Sequence, residues 1–323
     1  MAFAKVSSLK ETPLIFCLGG ASFNHKYTVK EKAILGTSNP ATGQHNFGGV
    51  ARNVAENLAR LEVPVGLWSI VGDDANGSAI LDFMRSVGCD VNACMTLSAR
   101  SSAVYAAILD ADHDLLIGIA YMDIFEALTP AALEQAWAHI ASARIVFADC
   151  NLPAKTLDTL LRRRKSAEFI LAIDPVSIPK ARRLPGDLSG IDILFTNVDE
   201  AAAILGAPQP REKDEIAAAL IARGISHVVL TDGAAGVTLA SGGACFDISG
   251  LPAEPVDASG AGDGLIAGTL WHLLSGASMA DAVQQGLLLA TLTVERAEDV
   301  RPDLSPHLLA AQASRLHQEE SRS

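Results

Sequence analysis

The chain of 323 residues is poor in positive charge. It has 25 Lys and Arg residues against 37 Asp and Glu residues, which gives a formal net charge of −12 at pH 7. Nucleic acid backbones and anionic lipid surfaces are negative themselves, so this excess of carboxylates disfavours both as partners. We therefore expect the partner to be a small molecule, and neither nucleic acid nor a membrane.

Cysteine is sparse, and its spacing does not suggest a disulfide framework. The five cysteines are odd in number, form no C-x-x-C pair and mostly lie in apolar runs, as reduced thiols do. The early apolar run LIFCL, at residues 14–18, is too short to span a bilayer and lacks a signal-peptide cleavage region. These absences predict a protein of the reducing cytoplasm.

Several common catalytic motifs are missing. No lysine follows a glycine anywhere in the chain, so a P-loop of the type G-x-x-x-x-G-K is absent. Neither G-x-S-x-G nor H-E-x-x-H occurs, and His25, His45 and His113 show no metal-ligand spacing with another ligand type. The sequence therefore carries no hydrolase or zinc-enzyme signature.

Short apolar runs alternate with segments of helical period along most of the chain. Hydrophobic residues make up 49% of it, which is enough to bury a large core. The strand candidates are residues 14–18, 65–71, 144–149, 169–174, 191–197 and 226–232. The segments of helical spacing are residues 50–61, 76–88, 129–141 and 212–224. This alternation predicts an α/β fold with a mostly parallel sheet flanked by helices on both faces.

Two stretches break this rhythm and predict a small β appendage within a single domain of residues 1–323. Residues 24–47 are polar and rich in Asn, Gly and Thr. Residues 102–123 contain two β-like runs around the turn Asp-Ala-Asp-His-Asp, which is typical of a hairpin. We expect these two segments to form a lid.

The segment D-A-S-G-A-G-D, residues 257–263, leads directly into a run with the apolar spacing of a helix. A Gly-rich turn at a helix start presents unpaired N–H groups and the positive end of the helix dipole, which together suit an anion. Asp263 would repel a bound phosphate there unless it removes a proton from a hydroxyl that attacks the phosphorus. The alternative is a plain strand-to-helix connection in which Asp263 caps the helix.

This segment resembles the C-terminal signature of the ribokinase-like (PfkB) carbohydrate kinases. Three more motifs follow the order of that family: GGVARNVAENLARL at 48–61, N-V-D-E at 197–200 and T-D-G-A-A-G at 231–236. Within the family, further runs are similar to pseudouridine kinases: GTSNP at 36–40, ADCN at 148–151 and DPVS at 174–177. The resemblance implies a doubly wound ribokinase-like fold with a small β lid. It also implies an ATP-dependent kinase of a sugar or nucleoside hydroxyl, above all the 5′-hydroxyl of pseudouridine or a related ribonucleoside.

The resemblance assigns a role to each matched residue of the catalytic and substrate sites. Asp263 would be the general base, and the backbone N–H groups of Gly260, Ala261 and Gly262 would form the anion hole for the migrating phosphoryl group. Gly48 and Gly49 would let the backbone approach the sugar. The side chains of Asn53 and Asp149 would bind the substrate.

For the cofactor, the resemblance implies ATP with Mg²⁺. Asn197 and Glu200 would organise the magnesium ion through its waters, since Mg²⁺ usually keeps water ligands. Thr231, Gly233 and Gly236 would line the ATP phosphates and ribose.

Two further expectations concern potassium and the oligomeric state. In family members activated by monovalent cations, the positions of Asp257 and Ser259 belong to the loop around a K⁺ site. The lid sheet has open edges, which a second subunit often covers. We therefore expect a homodimer formed through the lid.

The sequence departs from the family pattern where the substrate binds. The first strand of the family usually ends in G-x-x-N-x-D, but here Ser22 and Asn24 occupy the two polar positions, and the charge of the Asp is lost. Pseudouridine kinases tend to carry an Asp where this chain has Tyr121, which offers a hydroxyl and a stacking face to the substrate instead. Two alternatives stay open: a kinase for another nucleoside or free sugar, and a catalytically idle protein that senses a nucleoside.

Overall fold

The computed structural model describes residues 12–112, 114–206 and 212–317. The rest of the predicted domain 1–323, including His113 in the predicted hairpin turn, lies outside the described residues.

The strands are β1 Ile15–Leu18, β2 Ser22–Val29, β3 Ala41–Gly48, β4 Val65–Trp68, β5 Ile70–Gly72, β6 Met95–Leu97, β7 Val104–Leu109, β8 Leu115–Tyr121, β9 Ile145–Asp149, β10 Ile170–Asp174, β11 Ile193–Asn197, β12 His227–Thr231, β13 Gly236–Ser241 and β14 Ala244–Ser249. The helices are α1 Val50–Arg60, α2 Ala75–Ser86, α3 Pro130–Ile140, α4 Ala154–Arg164, α5 Ile178–Ala181, α6 Val198–Leu205, α7 Lys213–Ala222, α8 Ala261–Leu273, α9 Met279–Val294, α10 Pro306–Gln312 and α11 Ser314–His317. None of the helices in these ranges has the length and apolar character needed to cross a membrane.

The central sheet has eight of the described strands, in the order β14-β13-β12-β11-β10-β9-β1-β4. All neighbours from β12 to β4 are parallel, whereas β13 and β14 extend the sheet as an antiparallel hairpin. The predicted α/β fold with a mostly parallel sheet is confirmed.

Two hydrophobic layers cover the two faces of this sheet. Side chains alternate along each strand, so Ile15 and Cys17 of β1 pack with α1, α2, α8 and α9 on one face. Phe16 and Leu18 pack with α3, α4, α6 and α7 on the other face. Because both faces are buried, the strands are apolar at nearly every position, which is the pattern seen in the sequence.

The strand predicted over residues 65–71 is broken in two. β4 ends at Trp68, and β5 leaves the central sheet to pair in parallel with β6. Ser69, between them, is buried, and its hydroxyl donates to the carbonyl oxygen of Gly19 at 2.6 Å. This small polar residue marks the point where the chain turns away from the sheet.

A separate four-stranded sheet, in the order β3-β2-β7-β8, is built from the two segments predicted to form a lid. We refer to it as the lid sheet. β2 pairs antiparallel with β3 and parallel with β7, and β7 pairs antiparallel with β8. Phe47 of β3 packs on Phe83 of α2 with ring centroids 4.7 Å apart, which anchors one end of the sheet. β8 is an edge strand, and all of its residues are exposed.

Candidate active site

The carboxyl ends of the parallel strands and the N-termini of α1 and α8 meet at one edge of the central sheet. Two pockets lie there side by side and share the walls formed by Val50 and Val176. We refer to them as the α8 pocket and the α1 pocket, after the helix whose N-terminus lines each one. Ligands of open α/β sheets bind at this edge, so the fold places most of the predicted residues where a ligand can enter.

The α8 pocket is closed on one side by the first turn of α8. Gly260 is the N-cap, with a φ of 74°, and a Cβ there would lie 1.9 Å from the carbonyl oxygen of Asp299, so a glycine is required. Gly262 also lines the pocket, and the space where its Cβ would point is open. Ala261 does not line the pocket, and its N–H points to the carbonyl oxygen of Ala258 at 3.4 Å. Two of the three residues predicted for the anion hole are therefore at the pocket.

Asp263 lies at the junction of the two pockets. Its side chain is 7% exposed, and its Oδ2 accepts a hydrogen bond from Nδ2 of Asn53 at 2.6 Å. Within the described residues no other hydrogen bond reaches this carboxylate. Burial raises the pKa of Asp263 to about 7, although the bond from Asn53 acts in the opposite direction. A carboxylate with such a pKa can take up a proton near neutral pH.

Asn197 and Glu200 begin α6 and hold each other in a capping box. Oδ1 of Asn197 accepts from the N–H of Glu200 at 2.9 Å, and Oε2 of Glu200 accepts from the N–H of Asn197 at 3.2 Å. Both residues line the α8 pocket, together with Asp174 at the end of β10. The sequence interpretation assigned no role to Asp174.

The carboxylates of the α8 pocket are crowded. Asp174, Glu200 and Asp263 all line it, and burial raises the pKa of each. The charges of Glu200 and Asp263 raise the pKa of Asp174 further. A cation relieves such crowding, and Mg²⁺ is commonly held by one or two carboxylates together with waters and substrate phosphates. Beside the positive end of the α8 helix dipole, these residues fit the magnesium complex of a nucleotide.

Thr231 ends β12 and lines the α8 pocket, where its hydroxyl donates to the carbonyl oxygen of Thr196 at 3.3 Å. Gly233 lies in the turn between β12 and β13, and Gly236 begins β13; neither lines the pocket. At Gly236 the φ is 108°, and a Cβ would lie 2.2 Å from the carbonyl oxygen of Ile248. The structure therefore brings Thr231 to the pocket and gives Gly236 a role in shaping the adjacent turn.

The α1 pocket collects most of the polar residues predicted to bind the substrate. Those at its surface are Ser22, Asn24, Gly49 and Asn53. The hydroxyl of Ser22 donates to Oδ1 of Asn24 at 2.9 Å, which fixes the orientation of that amide. Gly48 lies directly behind Asn24, since a Cβ on Gly48 would be 2.1 Å from Nδ2 of Asn24. Gly49 has a φ of 97° and lets the start of α1 approach the loop after β1.

Asp149 lies behind the α1 pocket instead of lining it. It is fully buried, and its carboxylate accepts the N–H groups of Gly20 at 3.0 Å, Ala51 at 2.9 Å and Asn151 at 2.9 Å. Helix α1 has no side-chain cap of its own, so Asp149 caps it from a neighbouring strand. In this structure Asp149 holds together the loop after β1, the start of α1 and the turn after β9.

Tyr121 lies on the face of the lid sheet that points away from the α1 pocket. It pairs with Val104, whereas its neighbour in register, Ala120, pairs with Tyr105. Successive side chains of a strand point to opposite faces, so Tyr105 and Tyr121 cannot share a face. Tyr105 is the residue that lines the pocket, and Tyr121 is 49% exposed. Tyr121, predicted to contact the substrate, therefore does not line the α1 pocket.

Other charged and polar residues of the α1 pocket were missed by the sequence interpretation. Lys180 of α5 donates to Oδ1 of Asn151 at 2.6 Å, and Oδ2 of Asp299 accepts from Nδ2 of Asn46 at 3.1 Å. Lys180 and Asp299 come from segments distant in sequence, and neither belongs to a family motif quoted above. Only the proximity of Lys180 to the run at 174–177 could have pointed to it.

Asp257 and Ser259 precede α8 and line neither pocket. Oδ1 of Asp257 accepts the N–H of Ser259 at 2.8 Å, and Oδ2 contacts the ammonium group of Lys26, in β2, at 3.0 Å. A side-chain cation from the lid sheet therefore already neutralises this carboxylate. A potassium ion on the same oxygen would meet the like charge of Lys26, so the residues do not fit K⁺ in this arrangement.

Comparison with known proteins assigns nearly the whole chain to the kinase family that its sequence motifs resemble. The sequence profile of the pfkB family carbohydrate kinases matches residues 12–305. The chain is 29% identical over 308 residues to a pseudouridine kinase of Escherichia coli strain K12, covering 92% of this chain and 95% of that protein. A carbohydrate kinase from Agrobacterium tumefaciens is 30% identical, with a TM-score of 0.81 over 93% of this chain and 96% of that one. Arabidopsis thaliana ribokinase, solved with ribose and ATP, has the same fold, with a TM-score of 0.82 at 20% identity over 94% of this chain and 99% of that one.

Proposed function

The chain belongs to the pfkB family of carbohydrate kinases, and from this we propose that it phosphorylates the 5′-hydroxyl of pseudouridine or of a related ribonucleoside. Membership of the family makes it an ATP-dependent kinase of a sugar or nucleoside. The choice of the nucleoside, the 5′ position and the residue roles given below are parts of the proposal.

The hydrogen bond from Asn53 to Asp263 carries this proposal, because it joins the two pockets. Asn53 lines the α1 pocket, and Asp263 lines the α8 pocket. A hydroxyl placed beside Asn53 can reach the carboxylate oxygen that Asn53 does not use. The anion-binding start of α8 lies on the other side of that carboxylate. The acceptor, the base and the phosphoryl group are thereby held next to one another, which is the main requirement of phosphoryl transfer.

The proposed roles follow from this arrangement. When bound, the magnesium complex of ATP supplies the phosphoryl group and part of the charge neutralisation. Asp263 accepts the proton of the attacking hydroxyl, and Asn53 keeps the carboxylate in position. The start of α8 at Gly260 and Gly262 stabilises negative charge that develops on the phosphoryl oxygens.

Two observations favour a nucleoside over a free sugar. The α1 pocket has polar side chains near Asp263 and, in addition, the less polar surfaces of Tyr105, Met122 and Phe125. Aromatic and thioether groups pack well on a flat ring, which a free sugar lacks. The relative that is 29% identical over 95% of its own length is a pseudouridine kinase.

A substrate panel tests the proposal. Release of ADP is measured with pseudouridine, uridine, cytidine, adenosine and ribose, each as the acceptor for ATP in the presence of Mg²⁺. We expect the highest kcat/KM for a ribonucleoside. A higher kcat/KM for ribose would favour the free-sugar alternative. Tight binding of a nucleoside without release of ADP would favour the idle sensor.

A further inference from the structure

Lys180 occupies an unusual electrostatic position in the α1 pocket. Burial lowers the pKa of its ammonium group, while the charge of Asp149 acts in the opposite direction. Among the described residues Lys180 forms no ion pair, although the pocket also contains Asp299. Its contacts are Oδ1 of Asn151 at 2.6 Å and the sulfur of Met122 at 3.8 Å. A partly buried ammonium group has three donors, so this one can still donate a hydrogen bond to an oxygen atom of a ligand.

The backbone before Lys180 is strained in a way that holds the residue at the pocket. Val176 has a φ of 68°, a left-handed conformation that is rare for a β-branched residue. The N–H of Val176 donates to Oδ1 of Asp174 at 2.7 Å, and Val176 itself forms part of the wall between the two pockets. Strain of this kind persists where the surroundings fix it, and it concentrates at functional sites. Here it turns the chain from β10 into α5, which carries Lys180.

The side chains that contact Lys180 are not the one that contacts Asp263, the proposed general base. It contacts Asn151 and Met122, whereas Asp263 is contacted by Asn53. A substrate whose hydroxyl is next to Asp263 therefore presents another part of itself to Lys180. The neighbouring side chains Tyr105, Met122 and Phe125 offer packing surfaces to a planar group at the same pocket.

We propose that Lys180 is a specificity-determining residue that donates a hydrogen bond to a carbonyl oxygen on the base of the nucleoside. This inference rests on the proposed function and deepens it by naming the substrate class: nucleosides whose base has a carbonyl edge. An exocyclic amino group at that edge would point its own hydrogens at the ammonium group, so cytidine and adenosine are disfavoured. Pseudouridine and uridine both have carbonyl oxygens, so Lys180 does not distinguish between them.

A carbonyl oxygen is a better partner here than a phosphate group. A lysine binds phosphate as a point charge, and a phosphate dianion usually also needs backbone N–H groups or a bidentate arginine beside it. Arg183, the nearby guanidinium group, already donates to the carbonyl oxygens of Asn151 and Leu152 and pairs with Glu126. Lys180 is left with a single ammonium group beside apolar surfaces, which suits a neutral carbonyl oxygen.

The test compares wild type with Lys180→Met, using Lys165→Met, at the C-terminal end of α4 and away from the pocket, as a matched control. Dissociation constants for uridine, pseudouridine, cytidine, ribose and ribose 1-phosphate are measured by calorimetry without ATP, and kcat/KM is measured by release of ADP. Lys180→Met should weaken the binding of uridine and pseudouridine about 10- to 100-fold and leave ribose unchanged. The preference for uridine over cytidine should fall by a similar factor. Lys180→Gln, which keeps a neutral donor, should give an intermediate loss, and it replaces Lys180→Met if that variant does not fold.

The other outcomes separate failure of this inference from failure of the proposed function. An equal loss for ribose and for the nucleosides would place Lys180 at the sugar or the phosphoryl group. A loss confined to ribose 1-phosphate would make it an anion site, and no loss in either variant would remove it from recognition. Each of these overturns the role of Lys180 while wild type still phosphorylates a nucleoside. If wild type neither binds nor phosphorylates any nucleoside, the proposed function fails, and the inference fails with it.

Discussion

At the scale of single residues, burial of the Asp263 carboxyl group has opposite consequences for folding and for catalysis. The folded-state pKa of about 7 lies above the ordinary value of 3.8, so the folded chain binds this proton more tightly than the unfolded chain. The contribution of the group to stability therefore falls as the pH rises between these two values, and the buried charge carries its full cost above about pH 7. Catalysis requires that charged form, so we expect kcat/KM to rise with pH through about 7.

Asp263→Asn should separate these two effects. We expect kcat to fall about 10²- to 10⁴-fold, because the base is lost. In the same variant the melting temperature at pH 8 should increase, since a neutral amide replaces a buried charge, and the increase should shrink at pH 5. Activity is measured by ADP release and stability by calorimetry. Asp158→Asn, on the exposed side of α4, is the control and should change neither quantity. Near wild-type turnover would remove Asp263 from the mechanism, and an equal stability change at both pH values would contradict the account of its charge.

At the scale of elements, the lid sheet is tied to the loop before α8 by an ion pair. Lys26 of β2 pairs with Asp257 at 3.0 Å. Asn46 of β3 donates to Asp299, which lies after α9. Because the Lys26–Asp257 pair is partly exposed, it contributes little to the free energy of unfolding. We expect its removal to change how the activity depends on monovalent cations.

Lys26→Met should create a dependence on potassium that the wild type lacks. Wild type should have the same kcat/KM in potassium chloride as in choline chloride of equal ionic strength, because Lys26 already neutralises Asp257. Without Lys26, a K⁺ ion can approach the carboxylate, and kcat/KM should rise when choline is replaced by potassium. Lys30→Met, farther along the lid, serves as the control. Strong activation of wild type by potassium would show that the ion displaces Lys26.

The sequence predicts elements and motifs better than it predicts contacts between elements. Gly260, Gly262 and Asp263 are found because a Gly-rich turn and the helix it starts are local features, and Asn53 lies in a contiguous motif. The face on which Tyr121 lies depends on the pairing register of β7 and β8, which contains an irregularity between Ile108 and Leu109. A shift of one residue there exchanges the faces, and no local pattern in the sequence fixes it.

Contacts between elements also decide where buried polar residues and residues distant in sequence come together, so the sequence does not reveal their positions in the site. Asp149 ends β9 like any ligand-binding carboxylate, but it accepts N–H groups from the loop after β1, from the start of α1 and from the turn after β9. Lys180 reaches the α1 pocket after the turn at Val176. The positions of both residues arise from tertiary packing, which composition and periodicity do not encode.

At the scale of the whole molecule, the outer face of the lid sheet is apolar and exposed. Ile117, Ile119 and Tyr121 alternate along β8, so they share one face, and each is about half exposed. An exposed edge strand with such a face is usually covered by another chain. We propose that a second copy of this chain covers it, which makes Tyr121 an interface residue.

Replacing Ile119 tests this interface. Wild type should sediment as a dimer at micromolar concentration, and Ile119→Lys should sediment as a monomer, because the buried ammonium group would lack a partner. Phe246→Lys is the matched control, since Phe246 is similarly exposed but lies on β14, at the edge of the central sheet. Monomeric wild type, or a dimer that survives in Ile119→Lys, would contradict an interface at this face.

The central claim is that this chain transfers a phosphoryl group from ATP to the 5′-hydroxyl of a ribonucleoside through Asp263. Proton-coupled phosphorus NMR of the product made from pseudouridine and ATP tests it most directly. We expect one new monoester resonance, split into a triplet by the two protons of the 5′ carbon, and no such resonance when Asp263→Asn replaces the wild type over the same time. A doublet, which marks a phosphate on a secondary hydroxyl, or no monoester at all from wild type, would contradict it.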